Sequence, residues 1–168
     1  LLGFGISFRI DMLGFVMLLI TSLLWFLVMV YAHGYMLKER RCNRFFFFMA
    51  LTYSSVLGTI MAGDLFTMFL FFEVMTFSSY VLVVHGQKKA SYEAGYNYIF
   101  MGILGGFAIF AALILLDHHV GDVTFTSALD ALNDVGSIRY VIVGLLFLGF
   151  GIKAGMAPVH VWLPKAHP

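Results

Sequence analysis

Long apolar segments, separated by short polar stretches, make up most of this chain. Each of five segments is about long enough to cross a hydrocarbon core of ~30 Å as a helix that rises ~1.5 Å per residue. We place the five predicted helices at about 12–32, 45–63, 65–84, 94–116 and 139–157. The pattern therefore predicts an all-α membrane protein, with residues 1–168 forming a single transmembrane domain of five transmembrane helices.

The composition supports this prediction and excludes other classes of protein. Hydrophobic residues make up 61% of the chain and charged residues 11%, whereas soluble domains are roughly 45 to 50% apolar and about 25% charged. The formal net charge is only +1, which argues against a nucleic-acid partner. The chain opens at Leu1 rather than at a methionine and stops at Pro168 after a proline-rich stretch, so we expect a fragment of a longer protein.

The charges in the loops predict an orientation in the membrane. Loops rich in Lys and Arg tend to stay on the cytoplasmic side. Basic residues follow the first and third predicted helices, and acidic residues follow the fourth; these are Lys38, Arg40, Arg41, Arg44, Lys88 and Lys89, and Asp117, Asp122, Asp130 and Asp134. The start of the first helix is therefore expected outside, and the end of the fifth in the cytoplasm.

Two connections carry further local signals. Only Gly63 and Asp64 separate the second and third helices, so a tight turn is expected, with Asp64 as the N-cap of the third helix. In the acidic loop, apolar residues recur at helical spacing over 124–132. That segment is either a short amphipathic helix on the membrane surface or an ordered loop, and the pattern leaves both open.

Glu73 lies near the middle of the third predicted helix, at a depth where a carboxylate is costly. Such a residue normally faces the protein interior, where it finds a partner or takes up a proton. Thr76 and Tyr80 follow at helical spacing and extend a polar stripe along the same face. The stripe points to an ion pathway, and the alternative is a static hydrogen bond that joins two helices.

Lys153 lies near the end of the fifth predicted helix, among glycines and shortly before Pro158. Proline removes an amide donor and clashes with the preceding turn, so a break just after the lysine is expected. Broken helices occur at membrane depth where the backbone lines a water-filled cavity or is buried in protein. The alternative is a lysine that extends its ammonium to the membrane interface.

His160 follows this break, beside Trp162. Histidine is the side chain that exchanges protons most readily near neutral pH, so His160 is a candidate relay between Lys153 and the cytoplasmic side. It is equally well read as an interfacial residue next to a tryptophan anchor. We interpret the adjacent His118 and His119 as a solvated helix end, because neighbouring residues on a helix point in different directions.

Other motifs give no chemistry. The spacing of Gly102 with Gly106 and of Gly151 with Gly155 allows close helix approach, which we interpret as packing. The single cysteine, Cys42, cannot form an intrachain disulfide and has no second thiol at metal-ligand spacing, and the sequence contains no phosphate-binding loop motif. No cofactor or metal is therefore expected in this chain, and any redox centre would lie in another subunit.

Two segments resemble the antiporter-like membrane subunits shared by respiratory complex I, the Mrp cation/proton antiporters and membrane-bound hydrogenases. They run from Gly63 through Glu73 to Tyr80, and from Gly151 through Lys153 to Pro164. The resemblance covers essentially the whole chain and makes it similar to the first of two inverted five-helix repeats in a fold of about fourteen spans. By this resemblance, Glu73 and Lys153 are pathway residues.

The resemblance implies translocation of protons, with Na⁺ as a possible second ion, by one subunit of a multisubunit complex in a prokaryotic cytoplasmic membrane. That complex would be of the respiratory NADH:quinone oxidoreductase, hydrogenase or Mrp type. Its other membrane subunits and the lipid bilayer are the expected partners. Many members have an aspartate where this chain has Lys165, so no role is carried over to that position. The alternative function is a structural scaffold subunit without an ion pathway of its own.

Overall fold

The fold is all-helical, as the hydrophobic pattern predicts. The structure is a computed structural model that describes residues 5–36, 41–121, 124–125, 132, 135–160 and 162–166. In this part of the chain, the helices are α1 (Met12–Met36), α2 (Cys42–Ile60), α3 (Leu65–Val83), α4 (Lys89–Val120), α5 (Ile138–Ala154) and α6 (Leu163–Ala166). The first five correspond to the five predicted helices, and the short α6 was not predicted.

Three of the described helices, α1, α3 and α4, are both long enough and apolar enough to cross a membrane by themselves. The helix α5 has 17 residues, and the 19 residues of α2 include several hydroxyl side chains. Ser and Thr bond back to carbonyls one turn earlier in α2, as Thr52 does to Phe48 (2.8 Å) and Ser55 to Leu51 (2.8 Å). These polar groups are therefore satisfied within the helix.

Helix ends differ from the predicted bounds where polarity and backbone conformation decide them. The helix α4 begins at Lys89 rather than at about 94. Its first turns are helical but polar, and a prediction from apolar segments does not include them. The helix α5 ends at Ala154 rather than at about 157. Gly155 adopts a left-handed conformation (φ 70°), and its amide bonds back to the carbonyls of Gly151 and Ile152, which closes the helix.

The two ends of the bundle gather alternate connections, as five antiparallel spans require. At one end, Phe8 forms a bridge with Ala62 before the α2–α3 turn, and Thr124 forms a bridge with Asp64. At the other end, the Arg44 guanidinium lies 3.4 Å from the His85 carbonyl oxygen. Which end faces the cytoplasm stays a prediction. Several loop charges lie outside the described residues, namely Lys38, Arg40, Asp122, Asp130 and Asp134, as does most of the segment 124–132.

Asp64 joins the chain segments at the first of these ends. Its side chain caps α3 as predicted, because Oδ1 accepts a hydrogen bond from the Thr67 amide (2.6 Å). Its Oδ2 accepts hydrogen bonds from the Thr67 hydroxyl (3.0 Å) and from the Ser7 hydroxyl. In addition, the Gly63 amide donates a hydrogen bond to the Ser7 carbonyl (2.9 Å). These contacts fix where α3 starts, and so they set the position along the bundle axis of the residues that follow in α3.

The helix α4 is the centre of the bundle and packs against α3 on one side and α5 on the other. Its residues Ile109, Leu113 and Leu116 are fully buried, together with Ile142 of α5. By contrast, α1 packs mainly against α2, through Trp25 and its neighbours, and exposes most of its apolar surface. The region between α3, α4 and α5 therefore includes the most deeply buried part of the described structure.

Candidate functional site

Glu73 of α3 and Lys153 of α5 face each other in the middle of the bundle. The lysine Nζ lies 2.9 Å from the glutamate Oε1, and the two side chains are 6% and 20% exposed, respectively. The sequence marked each residue separately and left the partner of Glu73 open. In the structure, Lys153 is that partner.

Of the two side chains, Lys153 has the better-defined hydrogen bonds. Lys153 Nζ donates a hydrogen bond to Thr76 Oγ1 (2.8 Å), and the Thr76 hydroxyl donates its own hydrogen to the Phe72 carbonyl (2.8 Å). Glu73 Oε1 is buried and accepts no well-directed hydrogen bond from the described residues, although Nζ is only 2.9 Å away. Within the described residues, the contact at Oε1 is therefore an ion pair rather than a well-directed hydrogen bond.

Lys153 lies one residue before the end of α5, where the expected break occurs. The last carbonyls of a helix carry partial negative charge, which favours a cation in this turn. Two groups beyond the break bond back to the same turn: the Met156 amide donates to the Gly151 carbonyl (2.8 Å), and Trp162 Nε1 donates to the Ile152 carbonyl (2.8 Å). The lysine side chain turns into the bundle and does not extend to an interface.

Glycines of α4 make room for both acidic and hydroxyl groups of α3. A Cβ atom on Gly106 would lie 2.6 Å from Glu73 Oε1, and one on Gly102 would lie 2.6 Å from the Thr76 methyl group. The sequence assigned this glycine pair to packing alone. In the structure, the same two positions also shape the space in which the site residues lie.

The second glycine pair does not make the predicted helix contact. A Cβ on Gly151 would meet the Met156 side chain (2.9 Å), and Gly155 ends α5. The close approach of α4 and α5 instead occurs at Gly105 and Gly149, where a Cβ on Gly149 would lie 2.8 Å from the Gly105 carbonyl oxygen. Spacing identified glycines that permit contact, but only the packing angle selects those that meet.

The polar face of α3 continues to a hydroxyl pair that sequence reasoning missed. Ser79 Oγ lies 2.6 Å from the Tyr98 hydroxyl of α4, and the Tyr98 ring packs edge-on against Trp162 at 5.2 Å. Tyr98 lies one helical turn from Gly102 on the same face of α4, which is the signal that could have identified it. The predicted stripe member Tyr80 lies farther along, against Gly95.

The structure does not bring His160 to the ion pair. Its side chain is exposed, and its carbonyl accepts a hydrogen bond from the Leu163 amide (2.9 Å) at the start of α6. The rings of His118 and His119 pack edge-on at the end of α4, with centroids 4.9 Å apart. Among the residues that the structure describes, no three His, Cys, Asp or Glu side chains gather as a metal site requires.

The side of Glu73 away from Lys153 opens into an apolar groove. The groove has a volume of about 450 Å³ and runs between α3 and α4. Its walls are mostly aromatic, formed by Phe69, Phe77, Ile103, Phe107 and Phe110. The carboxylate therefore has a basic, enclosed side and an apolar, accessible side.

Comparisons with known proteins agree with these features. Residues 62–168 match the family described as "NADH:quinone oxidoreductase/Mrp antiporter, TM", and residues 2–46 match "NADH-Ubiquinone oxidoreductase (complex I), chain 5 N-terminus". The chain is 34% identical to "Hydrogenase-4 component B" of Escherichia coli (strain K12) over 97% of its length and 24% of that protein. It is 33% identical to "Putative antiporter subunit mnhD2" of Staphylococcus aureus (strain NCTC 8325 / PS 47), over 98% of this chain and 33% of that one.

A solved structure is also similar. It is described as the "membrane-bound sulfane sulfur reductase (MBS), an archaeal respiratory membrane complex", and it matches with a TM-score of 0.80 and 25% identity over 98% of this chain and 26% of that one. The chain thus spans about a quarter to a third of the length of these relatives. It is a membrane protein that belongs to the family of antiporter-like subunits found in NADH:quinone oxidoreductase, Mrp antiporter and hydrogenase complexes.

Proposed function

We propose that this chain forms part of a proton pathway across the membrane, with Glu73 and Lys153 as its charged groups. The observation that carries the proposal is the ion pair of 2.9 Å at the broken end of α5, in which Glu73 Oε1 accepts no well-directed hydrogen bond. A pair that served only to join helices would gain from full hydrogen bonding of both members. Among the described residues, Lys153 is the one cation at ion-pair distance from this carboxylate, and a moving proton can replace that contact.

The pair works by electrostatic coupling. While Glu73 is ionised and near, the buried Lys153 ammonium has a counter-ion and keeps its proton. When Glu73 takes up a proton or turns away, a buried ammonium without a counter-ion is costly, and the lysine releases its proton. Thr76 holds the lysine in place during the exchange, and His160, exposed beyond the break, is proposed as a later relay.

The relatives suggest the setting in which this pathway works. They are named as a hydrogenase component, an antiporter subunit and part of a respiratory membrane complex. We therefore propose that the whole protein joins other membrane subunits in a prokaryotic cytoplasmic membrane, within a hydrogenase, Mrp or NADH:quinone oxidoreductase type of complex. Comparing transport with and without Na⁺ would show whether a cation is exchanged for the proton.

The test is proton transport by the assembled complex in proteoliposomes, compared at equal amounts of assembled protein. Glu73→Gln and Lys153→Ala are expected to abolish transport while the complex remains assembled. A matched control is available in α4, where Lys89 and Glu93 form a pair at 4.0 Å with side chains 93% and 69% exposed. Glu93→Gln and Lys89→Ala are expected to change nothing, because exposed ion pairs contribute little.

The opposite result would favour a scaffold. If Glu73→Gln lowers the amount of assembled complex but leaves transport per assembled complex unchanged, the pair is a structural contact between α3 and α5. The chain would then support a neighbouring redox or transport subunit without a pathway of its own.

A further inference from the structure

A small cavity adjoins Lys153 on the side away from Glu73. It has a volume of about 40 Å³ and lies between α3, α4 and the segment that follows α5. Its lining residues are Met75, Thr76, Tyr98, Gly102, Ile152, Lys153 and Trp162. A water molecule needs roughly 10 to 15 Å³ of such space and two or more polar partners, so the cavity is large enough.

Lys153 has a donor to spare on this side. An ammonium carries three N–H groups and accepts nothing. One group is bound to Thr76 Oγ1 (2.8 Å), and one faces Glu73 Oε1 (2.9 Å). The Phe72 ring of α3 also faces the ammonium, with its centroid 5.6 Å from Nζ. The third N–H group therefore has room for a polar acceptor in the cavity.

Tyr98 supplies the complementary acceptor. Ser79 Oγ donates its hydrogen to the Met75 carbonyl, so the Tyr98 hydroxyl is the donor in the 2.6 Å contact between Tyr98 and Ser79. The Tyr98 oxygen then retains lone pairs that can accept hydrogen bonds. The edge-on contact with Trp162 holds the ring, and the Trp162 N–H is already used by the Ile152 carbonyl.

We propose that this cavity binds a water molecule that accepts a hydrogen bond from Lys153 Nζ and donates one to the Tyr98 oxygen. Tyr98 is a positioning residue: it touches the water and not the lysine. The inference rests on the proposed function, since it gives Lys153 a neutral hydrogen-bond partner when the Glu73 contact is broken. The Lys153 side chain then keeps the water as a hydrogen-bond partner when it loses the carboxylate.

The first test is an experimental map of the assembled wild-type complex at a resolution that shows ordered water. Density is expected in the cavity within hydrogen-bond distance of both Lys153 Nζ and the Tyr98 hydroxyl. A well-resolved cavity without such density would overturn the proposal, whatever the transport measurements show.

The second test is Tyr98→Phe, which removes the hydroxyl and keeps the ring. Loss of the water density is expected, with the Lys153–Glu73 distance unchanged and transport per assembled complex lowered about threefold to tenfold. Tyr96→Phe is the matched control, because Tyr96 is on the same helix and 68% exposed, and it should alter neither density nor rate. A Tyr98→Phe complex that keeps both the water and the full rate contradicts the role of Tyr98.

The two proposals fail in different ways. If transport survives Glu73→Gln and Lys153→Ala, the proposed ion pathway is wrong. If transport is abolished by those two variants but unchanged by Tyr98→Phe, only the contribution of Tyr98 and its water to transport is excluded, and the ion pair remains the pathway.

Discussion

Asp64 and Glu73 are carboxylates of the same helix, one at its N-terminus and one near its middle, and their surroundings differ. Asp64 accepts hydrogen bonds on both oxygens, from the Thr67 amide, the Thr67 hydroxyl and the Ser7 hydroxyl. Glu73 has one ion-pair contact with Lys153 and an open, apolar groove on its other side. The two groups have the same chemistry, but only one is fully coordinated.

The difference separates a carboxylate that fixes structure from one that can change its state. Asp64 is 5% exposed and joins three chain segments, so protonating it or moving it would break several bonds at once. Glu73 can lose its contact with Lys153 without breaking any other well-directed hydrogen bond among the described residues. The two carboxylates therefore differ in the hydrogen bonds that they accept from the described residues as well as in exposure, which is 5% for Asp64 and 20% for the Glu73 side chain.

The largest effect is expected from a substitution of Asp64, the carboxylate that is hydrogen-bonded on both oxygens. Asp64→Ala leaves three donors without their acceptor, and each buried unsatisfied donor costs about 1 to 3 kcal/mol, so the thermal stability of the complex should fall sharply. Transport per surviving complex should be unchanged. Asp11→Ala is the control, because Asp11 accepts the Gly14 amide hydrogen (2.6 Å) at an exposed position and should cost far less. Lost transport at full stability would break the comparison.

The next largest effect is expected from a substitution that displaces the Glu73 carboxylate. Gly106→Ala places a Cβ 2.6 Å from Glu73 Oε1 and must displace the carboxylate from Lys153. Small displacements of reacting groups are costly, so transport should fall by about tenfold or more, while thermal stability changes less than in Asp64→Ala. Gly144→Ala on α5 points into open space and should be neutral in both assays. Unaltered transport in Gly106→Ala would show that the position of Glu73 is not critical.

A smaller effect is expected from the group that holds the lysine. Thr76→Val keeps the shape of the side chain and removes the acceptor of the Lys153 hydrogen bond (2.8 Å). We expect transport to fall roughly fivefold, which corresponds to about 1 kcal/mol, the contribution of one typical hydrogen bond in an otherwise intact site. Thr52→Val is the control: Thr52 is a buried threonine bonded to the Phe48 carbonyl and Ser78, away from the pair. Equal losses in both variants would point to a general packing defect.

The smallest effect concerns the segment beyond the break. Trp162→Phe removes the hydrogen bond to the Ile152 carbonyl (2.8 Å), which should lower stability by about 1 kcal/mol and transport by about twofold. Limited proteolysis after α5 and the thermal midpoint of the complex measure the first effect. Trp25→Phe is the control, because the buried Trp25 Nε1 has no hydrogen-bond partner among the described residues and the substitution keeps an aromatic ring beside Tyr53. A larger loss in Trp25→Phe would contradict this assignment.

The helices could be predicted from sequence because each apolar segment has the length of a membrane span. The start of α4 could not, since the residues around Lys89 and Glu93 are polar and helical, and hydropathy detects only the apolar part of a helix. The end of α5 was placed too late because proline was taken as the stop. Gly155, three residues earlier, ends the helix by its left-handed conformation.

The charged residues of the site could also be predicted, but their contact could not. Glu73 and Lys153 stand out because charge is rare in apolar segments. Whether they meet depends on how closely α4 approaches its two neighbours, which Gly106 sets on the α3 side and Gly105 with Gly149 on the α5 side. Spacing along one helix does not contain that information. Tyr98 was missed for a related reason, since a tyrosine in an apolar helix carries no charge to mark it.

The sparse packing of α1 has a consequence for biosynthesis. A helix that is strongly apolar and has none of its hydrophobic window buried needs no neighbours to leave the translocon and enter lipid. The hydroxyl-rich α2 and the 17-residue α5 depend more on contacts with neighbouring helices to enter the bilayer. Since the short Gly63-Asp64 turn joins α2 to α3, these two would enter the bilayer as one hairpin, and α5 would follow once α4 is in place. The nascent chain therefore completes its charged centre only after α5 has entered the bilayer.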